Sequence, residues 1–350
     1  MSPLVAELKK NKEIRTVVCT TGQHKLMLSQ VLDDFNIIPD YELDIMQPEQ
    51  TLYDVTQRVL LGIMPVLQQE QPDIMLVHGD TTTAFASALS AFYSKIPVGH
   101  VEAGLRTKDI YSPFPEEFNR KAVAIVTKMH FAPTENAKRN LLAEGYDAQS
   151  IYVTGNTAID ALRTTVKKDY SHDILDWAEG SRLILLTAHR RENLGGRMEM
   201  MFNAIKRIVN DDPGVKVVYP VHLNPAVLNL AHRILGDNDR IKLIEPLGVL
   251  DFHNFLARSY LVLTDSGGIQ EEAPHFGKPV LVLRDTTERP EGVEAGTLVM
   301  AGTQEQTIYE KTMQLLFDKN MYEKISQAIN PYGDGFASQR IVKAILGGGY

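Results

Sequence analysis

Short apolar runs alternate with segments of helical period along the whole chain, and this alternation constrains the fold more than any other feature. Helical spacing of apolar side chains is clear in residues 54–69 and 84–93. Strands that alternate with helices form parallel sheets covered on both faces, so we predict an α/β fold. The predicted strands are residues 16–19, 74–77, 98–101, 151–153, 183–186, 215–219, 241–244, 261–263 and 280–283.

The chain length indicates two domains, because 350 residues exceed what one hydrophobic core normally holds. Residues 160–182 are more polar than their surroundings and lack a clear strand, which places the boundary there. We predict two doubly wound, Rossmann-like domains at 1–165 and 166–330 that face each other across a cleft, followed by a C-terminal helix within 331–350.

Composition excludes several classes of protein. A net charge of −8 disfavours nonspecific binding to nucleic acid or to an anionic membrane. The single cysteine, Cys19, rules out an internal disulfide and fits a cytoplasmic protein. No apolar run approaches the ~20 residues that span a bilayer, and residues 1–10 have the pattern of an amphipathic helix. No His-x-x-x-His helix, cysteine cluster or Gly-x-Gly-x-x-Gly turn indicates a metal or NAD.

The segment 261–274 has the pattern of a nucleotide-binding turn. A buried strand ends at Ser266, Gly267 and Gly268, and a helical pattern follows. Free backbone N–H groups at a helix start bind phosphate, and glycine lets the backbone approach an oxyanion closely. Glu272, about one turn further on, can reach a ribose attached to that phosphate. An ordinary turn between a strand and a helix is the alternative.

Three carboxylates follow predicted strands of the first domain. Asp80 and Glu102 lie directly after strands, and Glu116 lies in a proline-rich loop. Clustered carboxylates raise at least one pKa, which suits acid and base chemistry. Asp80 could instead cap the following helix, and Glu116 could be a surface loop residue. Glu102 has little structural reason to lie between Val101 and Ala103 at a strand end.

Basic residues follow predicted strands of the second domain: His189, Arg190, His222 and Arg289. Because the carboxyl ends of parallel strands share one edge, these side chains are candidates for the phosphate side of the cleft. Two adjacent arginines would lower the pKa of His189 unless an anion were close, so its position favours a bound diphosphate.

These motifs make the chain resemble the non-hydrolysing UDP-N-acetylglucosamine 2-epimerases over essentially its entire length. The longest matching segments are Thr-Asp-Ser-Gly-Gly-Ile-Gln-Glu-Glu-Ala-Pro at 264–274 and Arg-Asp-Thr-Thr-Glu-Arg-Pro-Glu at 284–291. The resemblance implies the glycosyltransferase B arrangement, with the C-terminal helix crossing back to the first domain. It also implies a cytoplasmic homodimer without a cofactor that interconverts UDP-N-acetylglucosamine and UDP-N-acetylmannosamine for envelope polysaccharide synthesis.

The resemblance further implies that UDP is eliminated across C1–C2 to give a 2-acetamidoglucal, then added back with the proton on the opposite face. The roles that it implies are as follows: Asp80, Glu102 and Glu116 for acid and base chemistry, His189 for assistance to UDP, Ser266, Gly267 and Gly268 for the phosphates, Glu272 for the ribose, Arg289 for the diphosphate and Phe252 for the uracil. Which carboxylate serves which face of C2 stays open.

Some bacterial members of this family bind a second, activating UDP-N-acetylglucosamine. The matching residues here are Gln23, Gln50, Glu116, Arg190 and His222. Two positions depart from the family pattern: Leu26 stands where a glutamine is frequent, and Glu49 where an arginine is frequent. An acidic residue near a diphosphate weakens binding, so these departures disfavour activation.

Three other activities share parts of this pattern: a UDP-sugar-dependent glycosyltransferase, a hydrolysing epimerase and a sugar-nucleotide sensor. Deuterium from solvent at C2 without an acceptor favours an epimerase over a transferase, and binding without turnover favours a sensor. Free N-acetylmannosamine among the products identifies the hydrolysing variant.

The sequence begins with a helical pattern that has Pro3 in its first turn, whereas a doubly wound domain normally begins with a strand. The family has a strand and a Gly-Thr-Arg-Pro-Glu-Ala turn there. We therefore expect a longer native N-terminus, by about 15–25 residues.

Overall fold

The computed structural model describes residues 1–22, 25–107 and 109–347, and it divides into two units. The first unit comprises Met1–Ala161 together with the C-terminal segment from Tyr332, and the second comprises Leu162–Pro331. Parallel sheets flanked by helices in both units confirm the predicted α/β class. None of the described helices is long and apolar enough to cross a membrane.

The first unit has one four-stranded parallel sheet and a separate pair of short parallel strands. Its strands are β1 (Cys19–Thr20), β2 (Tyr41–Glu42), β3 (Met75–His78), β4 (Val98–Val101), β5 (Thr127–Ala132) and β6 (Ile151–Val153). The larger sheet has the order β3-β4-β5-β6, and β1 pairs with β2. The helices are α1 (Ser2–Lys10), α2 (Lys25–Asp34), α3 (Leu52–Glu70), α4 (Thr82–Tyr93), α5 (Glu116–Val126), α6 (Glu135–Ala143) and, near the C-terminus, α16 (Ala337–Ile345). Helix α7 (Thr157–Thr165) begins in the first unit and ends in the second.

The second unit contains a six-stranded parallel sheet of order β12-β11-β10-β7-β8-β9. Its strands are β7 (Arg182–Thr187), β8 (Val215–Pro220), β9 (Ile241–Ile244), β10 (Leu261–Thr264), β11 (Val280–Val282) and β12 (Leu298–Met300). The helices are α8 (Asp173–Ala178), α9 (Gly196–Asp211), α10 (Pro225–Leu235), α11 (Val249–Arg258), α12 (Gly267–Glu272), α13 (Pro290–Glu294), α14 (Glu305–Phe317) and α15 (Lys319–Ser326). This is the strand order of a doubly wound sheet. Strands β7, β8 and β9 follow one another towards one edge, β10, β11 and β12 follow one another towards the other, and the direction changes between β7 and β10.

The buried central strands explain why their sequences read as continuous apolar runs. In β7, Ile184 and Leu186 pack into the core on one face of the sheet, and Leu183 and Leu185 pack into the core on the other. A parallel strand with helices on both faces buries every side chain, so the usual alternation of polar and apolar residues disappears.

One predicted strand was wrong and three observed strands were not predicted. Only Cys19 of the predicted strand 16–19 lies in β1, because the Val18 N–H donates to the Asp40 carboxylate instead of to a neighbouring strand. β5 was missed because Lys128 and His130 interrupt its apolar pattern, although His130 is buried. The other two missed strands, β2 and β12, are very short.

Candidate active site

The candidate nucleotide site of the second unit lies at the carboxyl ends of β7 and β10, where the strand order reverses. Open α/β sheets bind ligands at this point because the loops after the two strands diverge and leave a crevice. His189 and Arg190 follow β7, and Ser266 and Gly267 follow β10. The structure thus brings together the two loops that the sequence indicated separately.

Asp265 holds these two loops in place. Its fully buried carboxylate accepts hydrogen bonds from the backbone N–H groups of His189 (3.1 Å) and Arg190 (2.9 Å) and from Asn193 Nδ2 (3.0 Å). The Arg190 side chain also donates from Nε to the Asp265 carbonyl oxygen at 3.1 Å. One buried carboxylate with several donors therefore fixes the direction of both basic residues.

Positive and negative groups converge on Gly267, the first residue of α12. A Cβ placed on Gly267 would lie 3.0 Å from Oε1 of Glu288, 3.7 Å from Nη2 of Arg190 and 3.8 Å from Nη2 of Arg289. Arg190 pairs with Glu288 at 2.7 Å, and Arg289 pairs with Glu271. Guanidinium groups beside a glycine form a suitable environment for the oxygens of a diphosphate.

Glu288 is a strongly acidic carboxyl group in this cluster. Burial raises its pKa, but Arg190 and Arg284 more than offset this effect, so that the pKa falls to about 2. Arg284 contacts Glu288 through Nη1 and Glu192 through Nε, the latter at 3.1 Å. Glu288 is therefore ionised at neutral pH and balances part of the positive charge near Gly267.

The strand, turn and helix predicted over 261–274 are confirmed as β10, α12 and a 3₁₀ turn at Ala273–Phe276. The Ser266 N–H donates to Thr264 Oγ1 at 2.9 Å, and the Ser266 side chain makes no capping hydrogen bond. A Cβ on Gly268 would meet no atom closer than Glu272 Oε1, at 3.9 Å. The space over Gly268 is therefore open to a ligand oxygen.

Glu272 and Phe252 lie on neighbouring elements. Oε2 of Glu272 is 3.6 Å from Nε2 of His253, whose other ring nitrogen contacts Thr165 Oγ1 at 2.8 Å. Phe252 precedes His253 on α11 and packs, half-buried, against a core cluster of the second unit. Glu272 therefore contacts the helix that carries Phe252.

His189 is stacked on His222, with ring centroids 5.9 Å apart and an interplanar angle of 13°. Burial lowers the pKa of His189, Asp265 raises it, and His222 and Arg190 lower it further. The predicted direction is correct, but burial is a larger cause than the neighbouring arginine. A neutral imidazole remains available as a hydrogen-bond donor to a departing phosphate.

In the first unit, Asp80 lies just beyond β3 and contacts α5. Its Oδ2 accepts hydrogen bonds from Nε (2.9 Å) and Nη2 (2.6 Å) of Arg120, and its backbone oxygen accepts one from Asn119 Nδ2 at 2.8 Å. Helix α4 is capped by the Thr81 side chain, which accepts from the Ala84 N–H. Asp80 is therefore not the capping residue that the alternative interpretation required.

Glu102 directly follows β4 in a left-handed backbone conformation, with φ of 66°. The residues on either side are tied to neighbouring strands: Val101 accepts from the Gly79 N–H, and Ala103 donates to Phe131 O, both at 3.0 Å. Oε2 of Glu102 lies 3.4 Å from Nε2 of His78. A strained, fixed backbone at a non-glycine residue is frequent at functional sites.

Glu116 is the first residue of α5, so it does not lie in a surface loop as the alternative interpretation had it. It is half-buried, whereas the adjacent Glu117 is fully buried and pairs with Arg120 at 3.1 Å. Arg120 thereby connects the loop of Asp80 to the start of α5. The three predicted carboxylates thus lie at the ends of two neighbouring strands and at the start of a helix joined to one of them.

Two buried histidines lie behind this loop in adjacent strands. His100 and His130 are partners in the register of β4 and β5, and burial lowers the pKa of each to about 4. His100 Nε2 donates to Gly79 O at 2.8 Å, because the imidazole is neutral and the carbonyl can only accept. His100 therefore helps to fix the backbone just before Asp80.

The predicted second-site residues are only partly described. Gln23 lies outside the described residues. Gln50 precedes α3 and accepts from the Gln47 N–H at 3.1 Å, and Glu49 beside it has φ of 56°. Arg190 and His222 lie with His189 in the second unit.

Sequence reasoning missed four residues that organise the site: Asp265, Glu288, Asn119 and Arg120. All four lie inside or beside motifs that were noticed, but their roles depend on partners far away in the chain. An acidic residue directly after a buried strand, as in Asp265, is the one signal that could have indicated a role.

The chain is similar over nearly its whole length to proteins of one family. The family described as UDP-N-acetylglucosamine 2-epimerase matches residues 6–346. The chain is 61% identical to the Bacillus subtilis UDP-N-acetylglucosamine 2-epimerase over 346 residues, which cover 99% of this chain and 91% of the relative.

Solved structures give the same result. The Neisseria meningitidis UDP-GlcNAc 2-epimerase, crystallised with UDP-GlcNAc, superposes with a TM-score of 0.89 at 46% identity, over 99% of this chain and 96% of that one. S. aureus MnaA, solved with UDP, has a TM-score of 0.91 at 51% identity, over 99% and 93% of the two chains.

Proposed function

The chain belongs to the UDP-N-acetylglucosamine 2-epimerase family, and we propose that it reversibly converts UDP-N-acetylglucosamine to UDP-N-acetylmannosamine by elimination and re-addition of UDP. It is an isomerase, as the sequence motifs predicted. The observation that carries the proposed mechanism is the set of carboxylates at the carboxyl ends of β3 and β4 and at the start of α5. A glycosyltransferase needs an acceptor groove more than proton transfer on two faces of one carbon.

The reaction needs one group of residues that transfers protons at C2 and another that stabilises UDP as it leaves. The C2 proton of the sugar is not acidic, so a base removes it as the C1–O bond breaks, UDP departs and a C1–C2 double bond forms. In the reverse step an acid delivers a proton to the other face of C2 while a phosphate oxygen of UDP attacks C1. Asp80, Glu102 and Glu116 supply the proton chemistry in this proposal.

The second unit stabilises the leaving group in this proposal. The amides of Ser266, Gly267 and Gly268 and the Arg289 guanidinium hold the diphosphate, and neutral His189 donates a hydrogen bond to it. Support comes from the short distances of the Arg190 and Arg289 guanidinium groups from Gly267.

The nucleoside end of UDP completes the proposal for the second unit. Glu272 accepts the ribose hydroxyls and Phe252 lies against the uracil. Support comes from the proximity of Glu272 to His253, which follows Phe252 on α11.

Incubation of the protein with UDP-N-acetylglucosamine in D₂O, followed by proton NMR, tests this function. We expect UDP-N-acetylmannosamine to form and deuterium to appear at C2 of both sugars. Free N-acetylmannosamine with UDP would instead identify a hydrolysing enzyme. Absence of any exchange without an acceptor sugar would favour a transferase and refute the epimerase mechanism.

We also propose that two copies associate through an apolar face formed by α3, α4 and α5. Leu61, Tyr93 and Ile125 on these helices are 59%, 70% and 75% exposed. Leu61 and Tyr93 also line a depression of about 690 Å³ between α3 and α4. Exposed large apolar side chains on neighbouring helices are typical of an interface, and a two-fold dimer covers the same patch on both copies.

Light scattering after gel filtration tests the dimer. We expect a dimer for the parent protein and a monomer for Leu61→Glu. Ile329→Glu is the control, since Ile329 is an exposed apolar residue that lies in the second unit. A parent monomer, or a dimer that persists in Leu61→Glu, would contradict this interface.

A cellular role and a mode of regulation complete the proposal. The enzyme would act in the cytoplasm and supply envelope polysaccharide synthesis. Activation by a second UDP-N-acetylglucosamine is tested by velocity against substrate concentration. A plain hyperbola would exclude activation, and the departures at Leu26 and Glu49 favour that result.

A further inference from the structure

We propose that Arg120 is a positioning residue that holds the Asp80 carboxylate in the orientation needed for proton transfer. This inference rests on the proposed function, in which Asp80 belongs to the acid and base set. Its starting observation is that both nitrogens of Arg120 that contact Asp80 reach the same oxygen, Oδ2. Among the described residues, no donor is hydrogen-bonded to Oδ1, so that oxygen is available to exchange a proton with a substrate.

The backbone on which Asp80 stands is fixed by two more side chains. Asn119 Nδ2 donates to Asp80 O, and His100 Nε2 donates to Gly79 O, both at 2.8 Å. Asn119 and His100 are buried, so these hydrogen bonds are shielded from competing water. With the backbone held, the remaining freedom of Asp80 is rotation of its side chain, and the Arg120 contact restricts that rotation.

Arg120 is itself held from the other side by Glu117. Nη1 of Arg120 lies 3.1 Å from Oε2 of Glu117, which also accepts the Thr107 N–H at 3.2 Å. The guanidinium thus bridges one fully buried carboxylate and one partly exposed carboxylate. Arginine suits this geometry because its planar fork presents fixed donors in two directions, whereas a lysine ammonium would act as a single point charge.

The predicted consequence is a change in kcat with little change in UDP binding. Arg120→Lys keeps the positive charge but loses the fork, so the Asp80 carboxylate can rotate away from the reacting carbon. A misplacement of about 1 Å costs on the order of 10²-fold in rate. We therefore expect kcat to fall by roughly 10- to 100-fold, while the UDP dissociation constant measured by calorimetry stays within about 2-fold.

The matched control is Arg106→Lys. Arg106 belongs to the same unit and forms an equally close pair with Glu144, with Nε and Nη2 each 2.8 Å from a carboxylate oxygen. The same chemical change there removes a fork without touching Asp80. We expect kcat within about 2-fold of the parent for this variant.

A double-mutant cycle with Asp80→Asn separates positioning from general stability. If Arg120 acts through Asp80, then Arg120→Lys should have almost no further effect on kcat in the Asp80→Asn background. Multiplicative losses in the two variants would show that Arg120 acts elsewhere and would overturn the inference. Thermal melting of each variant checks that it is folded.

Glu117→Gln serves as the second variant if Arg120→Lys unfolds. It removes one of the two anchors of the guanidinium, and we expect a smaller loss of kcat that also disappears in the Asp80→Asn background. Parental kcat in either Arg120→Lys or Glu117→Gln, or an equal loss of UDP affinity, would refute positioning while leaving the epimerase assignment intact. A parent protein that exchanges no C2 proton would refute the proposed function itself, and this inference with it.

Discussion

Replacing Glu288 by glutamine should destabilise the second unit at neutral pH, and the structure gives the size of the effect. Arg190 and Arg284 outweigh the effect of burial and lower the Glu288 pKa from 4.5 to about 2. Each pKa unit corresponds to about 1.4 kcal/mol, which gives roughly 3 kcal/mol before solvent screening. Because the Glu288 side chain is 32% exposed, screening reduces the expected loss to about 2 kcal/mol.

The stability that Glu288 contributes should decrease at low pH. A carboxyl group whose pKa is lower in the folded protein contributes its full stability above its unfolded pKa and loses that stability as the pH falls towards the folded pKa. The difference between the parent and Glu288→Gln should therefore be constant from pH 7 to pH 5. It should shrink as the pH falls from 4.5 towards 2.

Thermal unfolding by circular dichroism at pH 7, 5 and 3.5 measures this difference. A loss of 1 kcal/mol lowers the Tm of a unit of this size by about 2–4 °C, so we expect a decrease of roughly 4–8 °C at pH 7. Glu192→Gln is the control, since Glu192 is 49% exposed and, among the described residues, pairs with Arg284 alone. A surface pair contributes at most about 1 kcal/mol. Equal Tm values for Glu288→Gln and the parent at pH 7 would refute the reasoning. A Tm difference that stays the same at pH 7, 5 and 3.5 would refute it as well.

Three further substitutions test other parts of the structure. Glu102→Gln should keep UDP affinity but lower turnover by roughly 10²–10⁴-fold, and activity within a few-fold of the parent would reject its role as an acid or base. Arg289→Ala should weaken UDP binding by about 10- to 100-fold and also slow elimination; unchanged UDP affinity by calorimetry would contradict its placement at the diphosphate. Gly104→Ala should cost at least about 2 kcal/mol, because Gly104 has φ of 91° and a Cβ there would lie 2.3 Å from Ala137 O. A parental melting temperature for Gly104→Ala would show that this contact relaxes freely.

Much of the fold could be predicted from the sequence because buried parallel strands leave a direct pattern. The apolar run of β10 followed by small residues predicted both the strand and the start of α12. Strand β5 was not predicted because its buried residues include His130, whose polar ring packs against Tyr146 with ring centroids 4.9 Å apart. A buried polar residue with a tertiary partner cannot be distinguished from a surface residue by periodicity alone.

Some residues of the candidate site could likewise be predicted from the sequence, and others could not. Carboxylates after strands could be identified because strand ends are where ligands bind, which pointed to Asp80 and Glu102. Their partners could not be predicted, because Arg120 lies 40 residues beyond Asp80 and reaches it only once α5 packs against α4. Asp265 was part of a recognised motif, but nothing in the local sequence shows that it accepts hydrogen bonds from the loop after β7.

The division of the chain into a continuous and a discontinuous unit has a consequence for synthesis on the ribosome. The second unit is a single stretch, whereas the first is completed by α16, whose Ile341 and Val342 pack with Leu4 and Leu8 of α1. Leu4 and Leu8 also pack with Val101 and Phe131, so part of this core can form early, whereas the part that α16 contributes forms only after residues 337–345 have been made. The second unit can fold in the meantime, since all of its strands are already available. A truncation that removes α16 would therefore damage the unit whose other elements are made earlier in translation.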